Sequence, residues 1–356
     1  MADIKLNQTI KAAMILKIIC GFFCKISSNK IVITLAKVYC LFFGLMCMSM
    51  LRILANHARS FSALLQVFLG VYVYLIYFLL NFYFEGENFM GFLHELRKVV
   101  TSQHMKSSEG VQISIRLFTI SLSANILLRL KITLDHSQYT VSSIYSFLVF
   151  QSTVNLLEFS PILTRLMMFE LLWRRMAMVR RNLERELSTH QGYDNSDCIL
   201  KEKLRRCLNA YKCLLEVTRV NETPMKIAIF TSVTALVFYI LTTTHLYISA
   251  SGELANLALA GELINHFIIL LSPALLSEMV IRETDKMKLC IVKRLLVCED
   301  ERTLIAIQDA MTYLEQNPFK YTIWRVFAVD MSLILNMIAL LTTYTVAMVQ
   351  FMHICD

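Results

Sequence analysis

Seven apolar stretches run through this sequence, over roughly 32–54, 63–84, 117–134, 141–173, 226–250, 256–280 and 328–351. A hydrocarbon core about 30 Å thick takes about 20 helical residues to cross, and it offers no partner to an unpaired backbone amide. Stretches of this length are therefore expected as membrane helices. The third is the shortest and carries Arg129 and Lys131 near its end. Their long stems let the charged heads snorkel to the interface. Of 356 residues, 56% are hydrophobic and only 17% charged, against about 25% charged in soluble domains. The expected fold class is all-α: a polytopic membrane protein with seven transmembrane helices.

Loop charge sets the orientation. With a cytosolic N-terminus, segments 1–31, 85–116, 174–226 and 281–327 lie inside and hold 29 of the 35 lysines and arginines. The outer connections and the extracellular C-terminus hold only Arg59. The net charge of +8 is then a topology signal and not a nucleic-acid footprint. This orientation is the reverse of a G-protein-coupled receptor. Asn7-Gln8-Thr9 and Asn221-Glu222-Thr223 match the glycosylation pattern but fall on the inner side, where they stay unmodified. Residues 1–30 spread five lysines along an amphipathic stretch and lack the compact apolar core of a signal peptide. The ten cysteines have no framework spacing, and no CxxC pair points to zinc. Cys198, Cys207, Cys213, Cys290 and Cys298 fall inside, where reducing surroundings keep them as thiols.

The chain divides accordingly. A cytosolic N-terminal segment (1–31) precedes transmembrane helices 1–4 (32–173). A cytosolic helical extension (174–225) leads to helices 5 and 6 (226–280). A cytosolic segment (281–327) precedes helix 7 (328–351) and an extracellular tail (352–356). Residues 141–188 keep Leu, Met and Val at helical spacing among charges and fit one helix of ~70 Å at 1.5 Å per residue. Segment 198–220 runs helically into the fifth span, and 279–315 extends the sixth and then turns. Together these form a cytosolic helical anchor bundle.

Polar residues inside a span must face protein or water. The fourth span carries Gln151, Asn155, Glu158 and Arg165 on one helical face. The sixth carries Glu262, Asn265 and His266; the fifth carries Thr242, Thr243, Thr244 and His245. Tyr72 and Tyr74 lie in the second span and Tyr145 in the fourth. Most of these fall in the outer halves of their helices. An outward-opening ligand pocket fits them, with Tyr72, Tyr74, Tyr145, Gln151, Asn155, Thr242, His245, Glu262, Asn265 and His266 as candidate contacts. Interhelical hydrogen bonding fits each residue taken singly, and Glu158 can simply pair with Arg165. No nucleophile, phosphate-binding glycine loop or metal-ligand set accompanies them, so neither an enzyme, a cofactor nor a metal is expected.

The last span carries a stripe. Ser332, Asn336, Ala339, Thr343, Ala347 and Gln350 are spaced 4, 3, 4, 4 and 3, so small and polar residues fill one face. One such helix cannot line a pore, but one per subunit around a symmetry axis can. Packing against a neighbouring helix accounts for the stripe equally well.

Thr343-Tyr344, five residues, then Gln350-Phe351 resembles the TYxxxxxQF signature in the last span of insect gustatory receptors. The lead-in FKYTIWRVFAVDMSLILNMIALL (319–341) is similar to that family's approach to its final helix. The chain ends shortly after the signature, as members of the family do. The resemblance implies a homotetrameric or heteromeric ligand-gated, non-selective cation channel in the plasma membrane of a sensory dendrite. Its partners would be a small-molecule tastant, permeating cations and membrane lipids. It implies that Gln350 contacts permeating ions, that Phe351 forms or supports an apolar gate, and that Tyr344 packs between helices near the pore. Thr343 would lie deeper, with the outer pocket holding ligand and the cytosolic helices joining subunits. Aromatic and aliphatic residues dominate the outer spans, which favours a bitter or deterrent plant compound. A sugar or polyol is the rival ligand within the family. Outside it stand a transporter, which needs repeated halves and interrupted helices, a G-protein-coupled receptor, and a membrane scaffold.

Overall fold

The computed structural model describes residues 8–25, 29–57, 61–102, 112–135, 141–188, 196–220, 222–249, 253–297, 300–324 and 326–355. The chain is mostly helical. In order it forms α1 (Gln8–Ile19), α2 (Lys30–His57), α3 (Phe61–Leu80), a π-helical turn (Asn81–Glu85) and α4 (Gly86–Ser102). Then come α5 (Gln112–Asp135), α6 (Val141–Ser188), α7 (Ser196–Val220), α8 (Glu222–Ser249) and α9 (Glu253–Leu295). α10 (Glu301–Gln316), strands β1 (Thr322–Ile323) and β2 (Phe327–Ala328), and α11 (Met331–Cys355) complete it.

Each of the seven apolar stretches corresponds to one helix: α2, α3, α5, α6, α8, α9 and α11. Among the described residues, three stretches are long and apolar enough to cross a membrane alone, Lys30–Ser49, Glu222–Thr244 and Leu263–Leu295. The pair Phe68–Phe84 and Phe89–Arg97, bent by 55°, makes a fourth. The physical case for a membrane is clearest on α2. Ile31, Leu35, Val38, Phe42 and Leu45 recur at spacings of 4, 3, 4 and 3 and are 59–68% exposed. A continuous apolar face of that kind needs hydrocarbon or protein against it.

α6 is one helix of 48 residues, as its periodicity requires, and packs most extensively against α9. Both carry an internal proline, Pro161 and Pro273. Each removes a helical N–H and crowds the carbonyl four residues before it. Dense packing holds both helices in place there: Pro161 and Pro273 lie in runs of buried residues. α4 is a helix that the charge-rich 85–116 segment does not announce. Its Phe89, Phe92, Leu93 and Leu96 are buried at helical spacing and lie in the same core as α6.

The N-terminal segment is part of the core, with Ile10, Met14 and Cys24 buried in it. α1 ends in a glycine turn. Gly21 N–H donates to the Ile18 carbonyl at 2.8 Å and Phe22 N–H to the Lys17 carbonyl at 3.0 Å. This pair of bonds needs a left-handed residue between them, and Gly21 has φ +79°. A Cβ there would lie 2.4 Å from a Phe43 ring carbon, so space as well as backbone selects glycine. The turn delivers Phe22, fully buried, against Tyr74 at 5.4 Å between ring centroids.

A carboxylate of α6 sets the start of α5. Glu170, with no exposed surface, accepts from the N–H groups of Ile113 (3.0 Å) and Ser114 (2.8 Å), two of the orphan donors at that helix end. Arg174, one turn on, donates Nε (3.0 Å) and an NH2 nitrogen (2.8 Å) to the same carboxylate. In the basic half of the molecule Arg180 of α6 bonds Glu283 of α9 at 2.6 Å. On α7, burial and then the negative charge of Glu186 push the Cys207 thiol up to about 11, so it stays protonated among its neighbours. Between α10 and α11 the chain turns through the β1–β2 hairpin, with Trp324 at φ 43° and its ring edge-on to Phe230 of α8 at 5.6 Å. Glu170→Ala will strand two helix-end donors and the Arg174 charge, lowering stability by about 3 kcal/mol or more. Thermal denaturation of the purified protein checks this, with exposed Glu202→Ala as the control that changes little.

Candidate functional site

α11 has two faces. Leu333, Ile334 and Met337 are buried against the body of the chain, and Leu341, Tyr344 and Thr345 are half-buried beside them. On the opposite face Ser332, Asn336, Ala339, Thr343 and Gln350 are exposed, with Ala347 half-buried at the border. At 100° per residue the stripe is centred roughly opposite the packed face. The stripe therefore does not pack within its own subunit. Asp330 starts the helix: its carboxylate accepts from Ser332 N–H at 2.9 Å, an Asx-type cap. Phe351 lies within α11, but its side chain is outside the described residues.

A second group collects between α5, α8 and α9. Ser121 of α5 donates to the Asn265 side-chain oxygen at 2.6 Å, and the Asn265 amide donates to the Ser121 carbonyl at 3.2 Å. His266 stacks on Tyr239 of α8 with centroids 4.0 Å apart. α5 and α9 approach closely at Gly261, where a Cβ would lie 3.0 Å from Leu128. Between these contacts, one turn beyond Ser121, stands Asn125. It has no exposed surface, and neither its amide nitrogen nor its oxygen has a hydrogen-bond partner. Thr243 is likewise buried with its hydroxyl unpartnered, whereas Thr242 donates to the Phe238 carbonyl at 3.0 Å. Buried amides are normally bonded, so an Asn125 amide idle at both its nitrogen and its oxygen beside the α5–α9 seam is unusual.

The structure thus sets Asn265 against Ser121 and His266 against Tyr239, with Asn125 one turn along α5 and Thr242 and Thr243 about one turn along α8. Ser121 and Asn125 could have been found as a polar pair one turn apart in an apolar span. Tyr72 is exposed on α3 and does not join them. Tyr74 packs between Phe22 and Phe78, in a cluster with Ala228 and Ala235 of α8. The side chains of Tyr145, Gln151, Asn155, His245 and Glu262 lie outside the described residues, as does that of Glu158.

Arg165, 2% exposed, forms a third centre nearer the basic side. One NH1 nitrogen donates to the Ala228 carbonyl (2.6 Å) and the Ser232 hydroxyl (2.8 Å) of α8, and NH2 donates to the Tyr77 hydroxyl of α3 (2.9 Å). Its guanidinium carbon lies 4.8 Å from the Tyr77 ring centroid. One cation therefore ties α3, α6 and α8 together by charge-assisted bonds. No cluster of metal ligands occurs among the described residues.

The 7tm chemosensory receptor family model matches residues 16–352. The chain is a member of that family. Members are ligand-gated cation channels. The fold is shared with the insect olfactory receptor OR5 of Machilis hrabei, at a TM-score of 0.65 in one structure and 0.63 in its complex with eugenol. Sequence identity is 14%, and the alignment covers 97% of this chain and 98% of OR5. At that identity the likeness is one of fold. No curated protein matches the sequence significantly.

In this receptor the idle Asn125 amide contributes nothing to stability through hydrogen bonds. Asn125→Leu, of similar volume, is expected to leave thermal stability unchanged or raised. Ser121→Ala strands the Asn265 side-chain oxygen, while its amide keeps the backbone carbonyl, and is expected to lower stability by about 1 kcal/mol. Denaturation of the purified variants distinguishes the two.

Proposed function

We propose that this receptor is a gustatory member of its family: a ligand-gated, non-selective cation channel of the plasma membrane that detects a small deterrent compound. The observation that carries this proposal is the α11 stripe, polar and small, facing away from its own subunit and ending in the Thr343-Tyr344/Gln350-Phe351 signature. Four copies around an axis would turn those stripes inward. Gln350 then contacts ions at the outer mouth, Phe351 supplies an apolar constriction, Ala347, Thr343, Ala339 and Asn336 line the path below, and half-buried Tyr344 packs between helices. The N-terminus is cytosolic, the tail extracellular, and α7, α10 and the ends of α6 and α9 make the anchor.

Ligand binds among α5, α8 and α9. Asn125 and Thr243 offer unfilled hydrogen-bonding positions, and the surrounding helices are apolar. A compact, mostly apolar molecule with one or two polar groups suits such a site better than a sugar, which needs many partners. Binding there favours a subunit shape in which α11 moves off the axis. With Phe351 withdrawn, water wets the constriction and ions pass Gln350.

Expression in a heterologous cell with current recording under a panel of tastants tests this directly. Ligand-evoked cation current is expected, with altered ion selectivity in Gln350→Ala and raised resting current in Phe351→Ala. Evoked current with unchanged permeation and unchanged resting current in both variants would overturn the pore assignment.

A further inference from the structure

A cleft of about 310 Å³ opens where α7 ends and the apolar run of α8 begins. Its walls come from two distant parts of the chain. Arg219, Glu222 and Lys226 face it from the α7–α8 junction, and the segment Gln316–Thr322 closes the other side with Lys320 and Tyr321. Three cations therefore meet one carboxylate. Glu222 is committed to Lys226 through an ion pair within one helical turn. Its backbone carbonyl accepts the Tyr321 hydroxyl at 3.3 Å. Arg219 and Lys320 are exposed and have no ion-pair partner among the described residues. The cleft thus keeps two uncompensated positive charges.

Next to it lies a narrow apolar slot of about 20 Å³, room for no more than a water. Phe92, Met168, Phe169, Leu172, Val217 and Met225 line it, and it shares Thr218 and Tyr321 with the cleft. Tyr321 stands at the boundary, buried, with its ring edge-on to Phe169 at 5.7 Å. Glu222 also opens the stretch Glu222–Thr244 that is apolar enough to cross a membrane. The cleft therefore sits at the level where a headgroup layer meets hydrocarbon, on the basic side of the chain.

We propose that this cleft binds the phosphate-bearing headgroup of an inner-leaflet lipid, with Arg219 and Lys320 on the phosphates and the acyl chains in the surrounding bilayer. Guanidinium and ammonium groups make strong charge-assisted bonds to phosphate, and basic residues at the cytoplasmic leaflet are drawn to anionic lipid. A soluble anion would use the charges but not the neighbouring apolar stretch that begins at Glu222. An acidic peptide would use the charges without needing membrane depth. The headgroup of a phosphorylated inositol lipid uses both the charges and the position at the end of an apolar stretch. Occupancy bridges α7–α8 to the segment that leads into α11, so it would also steady the start of that helix. The inner-leaflet location rests on the orientation proposed above; the chemistry of the cleft does not.

Purified full-length receptor in detergent is titrated with dioctanoyl phosphatidylinositol 4,5-bisphosphate, inositol 1,4,5-trisphosphate and dioctanoyl phosphatidylcholine, following the thermal shift. Expected is a saturable shift with the bisphosphate lipid and none with phosphatidylcholine. It should weaken about thirtyfold in the double variant Arg219→Ala/Lys320→Ala, and survive in Arg219→Lys/Lys320→Arg. Both side chains are exposed, so these variants fold. No shift with the bisphosphate lipid, or one undiminished in the alanine variant, overturns the proposal. Equal binding of inositol trisphosphate and the lipid overturns the lipid assignment in favour of a soluble phosphate. Sidedness is read separately. Cys213, exposed on α7, kept as the sole cysteine, should react with an impermeant maleimide only after permeabilisation. Reaction in intact cells contradicts the orientation while leaving the binding result standing.

Discussion

Hydrocarbon satisfies no hydrogen bond, and that constraint organises the polar contacts between this receptor's apolar helices. It explains why Arg165 lies where three helices converge, and why Ser121 and Asn265 bond each other across α5 and α9. The same rule makes the exceptions informative. Asn125 and Thr243 are buried without partners, and the α11 stripe is exposed without a neighbour. Groups with no outlet inside the subunit are the ones left for a ligand, for water or for another subunit.

These features lie at different depths, and the helices between them are continuous. α8 carries Thr242 and Thr243 at one end, Ser232 and Ala228 at the Arg165 centre, and Phe230 against the hairpin that precedes α11. A shift of α8 at its Thr242–Thr243 end is therefore presented, through one continuous helix, to both the Arg165 centre and the base of the last helix. That is a physical route for coupling, made of an element that touches each site. Its discrete states are the ligand-free and ligand-bound shapes of the proposed channel.

Much of the fold was legible because its signals are periodic. The seven apolar stretches each met a helix, and residues 141–188 form the single long helix their spacing required. The stripe of α11 was legible for the same reason, since its positions repeat within one helix. What periodicity could not show was tertiary. The packing of residues 20–24 depends on Gly21 meeting Phe43, and the start of α5 depends on Glu170 of another helix. α4 hides its apolar face inside a charged segment. Tyr72 and Tyr74 shared a span with a plausible pocket, but rotation about the helix sends one outward and the other to Phe22. Sequence counts polar residues in a helix; only packing decides which of them remain unpaired.

The central claim is that the exposed stripe of α11 lines an ion path. Cysteine substitution along that helix, in a channel depleted of its native cysteines, tests it most directly. A small water-soluble thiol reagent applied during ligand-evoked current should block Asn336→Cys and Thr343→Cys channels. Met337→Cys and Leu341→Cys, on the packed face, should be spared. Block at Met337→Cys and Leu341→Cys with none at Asn336→Cys and Thr343→Cys would contradict the account.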